Sequence, residues 1–156
     1  MKKIQLLLFI ILASVLSVSL AFAADKSFKA NLMGEDSVPP VKSKAKGDSE
    51  FKLSKEGKEL SYKLKVKNIL NASAAHIHKG KKGETGPVIV NLFAGPKKEG
   101  QFKGNLANGT IMAKDLMGEL QGKPLDALMQ LIASGDAYVN VHTDAYPDGE
   151  IRGQIK

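Results

Sequence analysis

The chain has 156 residues, 25% of them charged, with a formal net charge of +7 and no cysteine. That length supports one domain with a core of its own and leaves little for a second. Without cysteine there can be no disulfide, no thiolate metal ligand and no cysteine nucleophile, so packing and backbone hydrogen bonds must hold the fold.

Lys2 and Lys3 precede a nearly unbroken apolar run from Ile4 to Val18, and Ala21-Phe22-Ala23 is a small-residue cleavage pattern. Residues 1–23 therefore read as a signal peptide and residues 24–156 as a single mature domain. Such a chain is expected to be exported, to the periplasm or the cell exterior, with no membrane attachment after cleavage. The other reading of the run is an uncleaved anchor, since it approaches spanning length. The lysines are scattered along strand-like segments and not clustered with aromatics. They read as a solvated face, and nucleic acid is not an expected partner.

From Lys26 the chain alternates, with Phe28, Ala30 and Leu32 on one side and Lys29 and Asn31 on the other, a first strand. Glu35 to Val41 carries Pro39 and Pro40 and ends it. Gly47 to Leu53 resumes strand character, Lys55-Glu56-Gly57 is a turn, and Leu60, Tyr62, Leu64 and Val66 then alternate with Ser61, Lys63, Lys65 and Lys67. Those two runs predict a β-hairpin. Asn68 to Asn71 leads into a strand holding His76, Ile77 and His78, followed by a turn with Gly80, Gly83 and Gly86. Val88-Ile89-Val90 is the next strand, 94–100 a loop, and Phe102 to Met112 another strand.

Leu125, Leu128, Met129 and Ile132 follow helical spacing, with Pro124 suited to the first helical position and Gly135 to the residue past the end. Tyr138 to His142 is a strand with Val139 and Val141 facing in. A turn over Asp144 to Gly149 follows. In the last strand, Glu150 to Ile155, Ile151, Gly153 and Ile155 face in, while Glu150, Arg152 and Gln154 face out. Short strands separated by turns, with one short helix, predict an all-β antiparallel sandwich. Tyr62, Leu64, Ile77, Val139, Val141 and Ile151 are expected to be buried.

The three histidines of the chain are His76, His78 and His142. Alternate residues of a strand share a face, so His76 and His78 project together, and all three lie on faces turned away from the core. They can form a shared site for Cu or Zn, because neutral imidazole is a common ligand of both, or a cluster held by ordinary hydrogen bonds. A metal site requires His142 to lie opposite or diagonal to the other two, and it would weaken as pH falls through roughly 6.5. Glu84, Asp144 and Glu150 are candidates for a fourth ligand, and Glu150 with Arg152 reads as an exposed cross-strand ion pair. No serine sits in a nucleophile elbow, and the glycines after the His-x-His strand open no helix, which argues against a phosphate loop.

The runs Glu-Asp-Ser-Val-Pro-Pro-Val (35–41), Ala-Ala-His-Ile-His-Lys-Gly (74–80), Gly-Pro-Val-Ile-Val-Asn-Leu-Phe (86–93) and Ala-Tyr-Val-Asn-Val-His-Thr (137–143), with Tyr-Pro-Asp-Gly-Glu-Ile-Arg-Gly-Gln-Ile (146–155), resemble the CHRD domain family, named for chordin. The resemblance spans Phe28 to Ile155 and implies an immunoglobulin-like β-sandwich in a small exported microbial protein. The expected role is a non-catalytic binding module, with a metal ion and an extracellular or periplasmic protein as partners. The His-x-His strand and glycine turn are also similar to part of the copper/zinc superoxide dismutase pattern, which makes a copper redox metalloenzyme the alternative. A dismutase of that type needs more histidines and a disulfide, and this chain has neither.

The leader sets a first expectation: mature protein from the native host should begin at Ala24. N-terminal sequencing that reads Met1 instead would make the apolar run an anchor.

Overall fold

The computed structural model describes residues 26–156, so the leader lies outside the described residues. These residues form seven strands, β1 (Ser27–Met33), β2 (Lys46–Leu53), β3 (Leu60–Lys79), β4 (Val88–Phe93), β5 (Lys98–Ile111), β6 (Ala137–Thr143) and β7 (Ile151–Gln154), and one α-helix, α1 (Leu125–Ser134). Three single 3-10 turns complete the regular structure. Every strand pairing is antiparallel. Among the described residues no helix is long and apolar enough to cross a membrane.

The expectation of an antiparallel all-β chain with one helix holds. Two separate facing sheets were also expected, and the hydrogen bonding departs from that. All strands belong to one sheet, whose path β2-β1-β7-β6-β3 closes through a β2–β3 pairing into a barrel-like ring. Closure is possible because β3 is 20 residues long and changes partners along its length. Its first half pairs with β2 on one edge and β5 on the other, and its second half pairs with β6 and β4.

Where two strands were expected, with a break at Asn68 to Asn71, β3 runs through. Asn68 and Asn71 take positive φ, 55° and 53°, and the ladder to β5 shifts register there. Asparagine tolerates this left-handed conformation better than most residues. Each asparagine adds one residue to the spacing of buried positions, and a third irregularity, between Ala72 and Ala74 in the ladder to β6, adds another, so that Val66, Ile69, Ala72 and Ala75 are all buried before Ile77 restores simple alternation. The register of the histidine half is therefore set by three irregularities upstream.

Leu64, Ile77, Val139, Val141 and Ile151 are buried as expected, in one continuous apolar core. Tyr62 departs: it is only half buried, because it sits at the end of the ring where its hydroxyl donates to the Leu92 carbonyl at 2.7 Å. Its ring lies against Gly109, where a Cβ would come within 3.0 Å. The 94–100 segment is also not all loop, since β5 already starts at Lys98.

Pro124 is the residue before the helix and not its first residue, as its extended ψ of 158° requires. Gly135 ends α1 in the left-handed conformation, with its N–H on Ile132 and the Asp136 N–H on Leu131. That is the glycine-capped end expected from the sequence. Leu125, Leu128 and Ile132 are its buried stripe, and the helix packs against β6.

Val141 has no exposed surface and pairs with both Ala75 and Ile151. A Val141→Asp change would bury an unpaired charge at the centre of the ring and should cost more than about 4 kcal/mol. Urea unfolding measures this. Unaltered stability would place Val141 on the opposite face.

Candidate functional site

Strands β3 and β6 bring all three histidines together. In their ladder Ala74 faces His142, His76 faces Asn140 and His78 faces Tyr138, so His142 is diagonal to His76 across one strand gap. Ring centroids are 4.9 Å apart for His76 and His142, 5.6 Å for His76 and His78, and 5.9 Å for His78 and His142. One ligating nitrogen from each ring lies within 4.8 Å of the other two. A tetrahedral ion with nitrogens at ~2.0–2.1 Å needs them ~3.4 Å apart.

Backbone carbonyls fix two of the rings. His78 Nδ1 lies 2.9 Å from the Gly86 carbonyl and His142 Nδ1 2.8 Å from the Pro147 carbonyl. A carbonyl only accepts, so both Nδ1 atoms carry the proton, and in the neutral ring the lone pair is on Nε2. His76 Nδ1 is 3.1 Å from His142 Nε2 and must be the donor in that contact. His78 Nε2 is buried with no partner at all. This is the arrangement in which imidazole ligates a metal through one nitrogen while the other donates to a carbonyl.

The carbonyls are where they are because of the loops that carry them. The 80–87 loop folds back over β6, with Arg152 donating to the Glu84 and Lys81 carbonyls at 2.6 and 2.7 Å. Gln154 donates to the Gly80 carbonyl at 2.7 Å, and the Gly86 N–H reaches the Tyr138 hydroxyl at 3.3 Å. Gly86 itself passes so close to the Lys79 carbonyl that a Cβ would lie 1.8 Å from its oxygen. Any side chain there would push the loop, and with it the acceptor of His78, outward. Gly149 has the same role in the second loop: a Cβ would strike the Asn140 amide, whose nitrogen donates to the Asp148 carbonyl at 3.1 Å.

These loops bury a face that the alternation pattern assigns to the outside. Tyr138, Asn140 and Arg152 are 2%, 6% and 3% exposed. Tyr138 is stacked on His78, with centroids 5.0 Å apart and planes 8° apart, and the Arg152 guanidinium carbon sits 3.5 Å from the Tyr138 ring centre. The stack Arg152–Tyr138–His78 holds the His78 ring plane. An open pocket of about 390 Å³ adjoins it, lined among others by His78, His142, Tyr138, Asn140 and Arg152.

The remaining candidates from the sequence are not in the cluster. The Glu84 carboxylate accepts from the Lys81 N–H, and Asp144 pairs with Lys97 at 2.9 Å. Glu150 and Arg152, expected as an exposed ion pair, are both buried and do not pair with each other. The Glu150 carboxylate is held by the Ser43 and Thr143 hydroxyls, and Arg152 by the carbonyls and ring already described. Loop coverage of the outer face explains both departures. Tyr138, Gly86 and Pro147 were not singled out as site residues. The close approaches that make them matter involve chain segments distant in sequence.

A model of the CHRD domain family matches residues 28–155 of this sequence. The chain belongs to the CHRD domain family. Comparison with curated proteins and with solved structures returned no match. In this CHRD domain the histidines lie in the matched region, on the two neighbouring strands that also carry the stack.

Burial controls the charge state of the cluster. His76 is lowered from the ordinary 6.5 to about 4, first by desolvation and then by the neighbouring His142 and His78. His78 is also lowered, again chiefly by desolvation, with the Gly86 carbonyl opposing and His142 and Arg152 adding to it. At His76 the loss of the neutral form is therefore moved well below the pH of roughly 6.5 expected from the sequence. Between about 4 and 6.5 the unfolded chain binds a proton at His76 that the folded chain does not, so stability must fall as pH falls through that window. Denaturant unfolding at about pH 7 and pH 5 should show this loss, and His76→Asn should reduce it. The same loss in both proteins would show that His76 does not cause it.

Proposed function

We propose that this CHRD domain is an exported, non-catalytic module that binds copper or zinc through His76, His78 and His142. The observation that carries the reading is the fixing of two rings through Nδ1 by backbone carbonyls, which leaves a buried His78 Nε2 with no partner. An unpaired buried acceptor is costly, and a cation is the species that would satisfy it. A bound ion would compete with one internal hydrogen bond, that of His76 on His142. Three nitrogens leave a coordination position for water, or for a group offered by a periplasmic or extracellular partner.

Titration calorimetry with Cu(II) and with Zn(II) tests this. Wild-type protein should bind one equivalent, and His78→Ala or His142→Ala should each weaken binding by more than the ~10–100-fold that outer partners of a metal site are worth. Lys79→Ala should leave affinity unchanged, since Lys79 pairs with Glu119 away from the rings. Unaltered binding in the two histidine variants would sink the site.

The pocket against His78 and His142 favours one second reading, a copper redox enzyme, because it gives a small molecule access to the cluster. Copper-loaded protein that accelerates superoxide decay well beyond free copper would replace the binding-module reading with that one.

A further inference from the structure

Away from the histidines, four lysines surround a shallow groove on the outer face of β1, β2, β3 and β5. Lys46, Lys65, Lys67 and Lys103 line it, with Asp48 as its only acidic residue. All four lysines are exposed. None of them forms an ion pair, in contrast to Lys29, Lys79, Lys82 and Lys97. Lys46 and Lys67 are direct cross-strand partners, an arrangement of like charges that destabilises a sheet. Gly47 and Gly104 flank the inward-facing Val66 on its two edges. The groove has a volume of about 370 Å³.

Opposed, unpaired lysines cost the isolated domain stability, and an anionic partner would convert that repulsion into attraction. No aromatic side chain lines the groove, so it lacks the base-stacking platform of a single-strand nucleic-acid binder. Of the apolar residues that line it, Leu32 and Val66 are buried and Met33 is partly buried, so none is an exposed anchor for a hydrocarbon layer. What remains is a flat cationic face that suits an array of phosphates presented in a plane.

We infer that this lysine face docks the domain on the surface of a bilayer containing anionic phospholipid. The interaction is peripheral and electrostatic, independent of the histidine cluster, and weakened by salt because the charges are exposed.

Flotation of the processed chain with vesicles of phosphatidylglycerol and phosphatidylcholine, against pure phosphatidylcholine, tests it. Wild-type protein should float with the anionic vesicles alone and be released by salt. Each lysine at an anionic surface is worth about a five-fold change in partition, so K46Q/K65Q/K67Q/K103Q should lose about 100-fold or more. K55Q/K58Q/K114Q/K123Q removes the same charge from exposed positions outside the groove and should still float. K46Q/K67Q alone should melt no lower than wild type, because it removes a repulsion; a lower melting temperature would show that the two lysines are paired after all and overturn the premise. Failure of wild type to float, equal loss in both four-lysine variants, or flotation with pure phosphatidylcholine would each overturn the proposal. So would displacement by millimolar inorganic phosphate, or tighter lysine-dependent binding to an oligonucleotide, which would assign the face to another anion.

Discussion

The structure depends on keeping one strand's apolar side chains inward over twenty residues while both of its edges change partners. Strand β3 cannot do this as a straight ribbon, because a closing sheet must bend and a bend disturbs the period of two. Asn68 and Asn71 supply the correction. Each adopts a backbone conformation with positive φ, and each moves the next buried residue three positions along. With the two asparagine steps alone, and without the third irregularity between Ala72 and Ala74, His76 and His78 would face the core and Ile77 would face away from it. The chemistry at one end of the molecule thus depends on irregularities earlier in the same strand.

A second layer then converts an outer face into a site. The 80–87 loop and the turn after β6 lie over Tyr138, Asn140 and Arg152, and they bring carbonyls to His78 and His142. β7 is the clamp for the first of these, since Arg152 and Gln154 hold three carbonyls of that loop. Burial by these loops has opposite effects on the charged and the neutral groups. It pushes His76 and His78 toward their neutral form, and it leaves Arg152 stacked on a ring in place of a carboxylate.

Charge is distributed along the same strand. The first half of β3 alternates lysines outward against acidic and basic residues of β2, and the second half carries two of the three clustered histidines. The barrel-like closure puts these on separate parts of the surface, so the two can be probed by substitution independently.

Much of this was legible in the sequence, for local reasons. Alternation in β1, β2 and the first half of β3 named the core residues, and Pro124 and Gly135 bracketed α1 to within a residue. The His-x-His spacing put two imidazoles on one face because the strand period is two. Only the tertiary structure decided that β3 is continuous, that the sheet closes on itself, and that His142 lies diagonal to His76. It also decided that Glu150 and Arg152 are buried apart. The physical reason is common to all four: periodicity reports which side of a strand a residue occupies, whereas strand partners and loop coverage come from contacts between segments far apart in the chain. The Gly86–Lys79 approach and the β3–β6 register have no local signal.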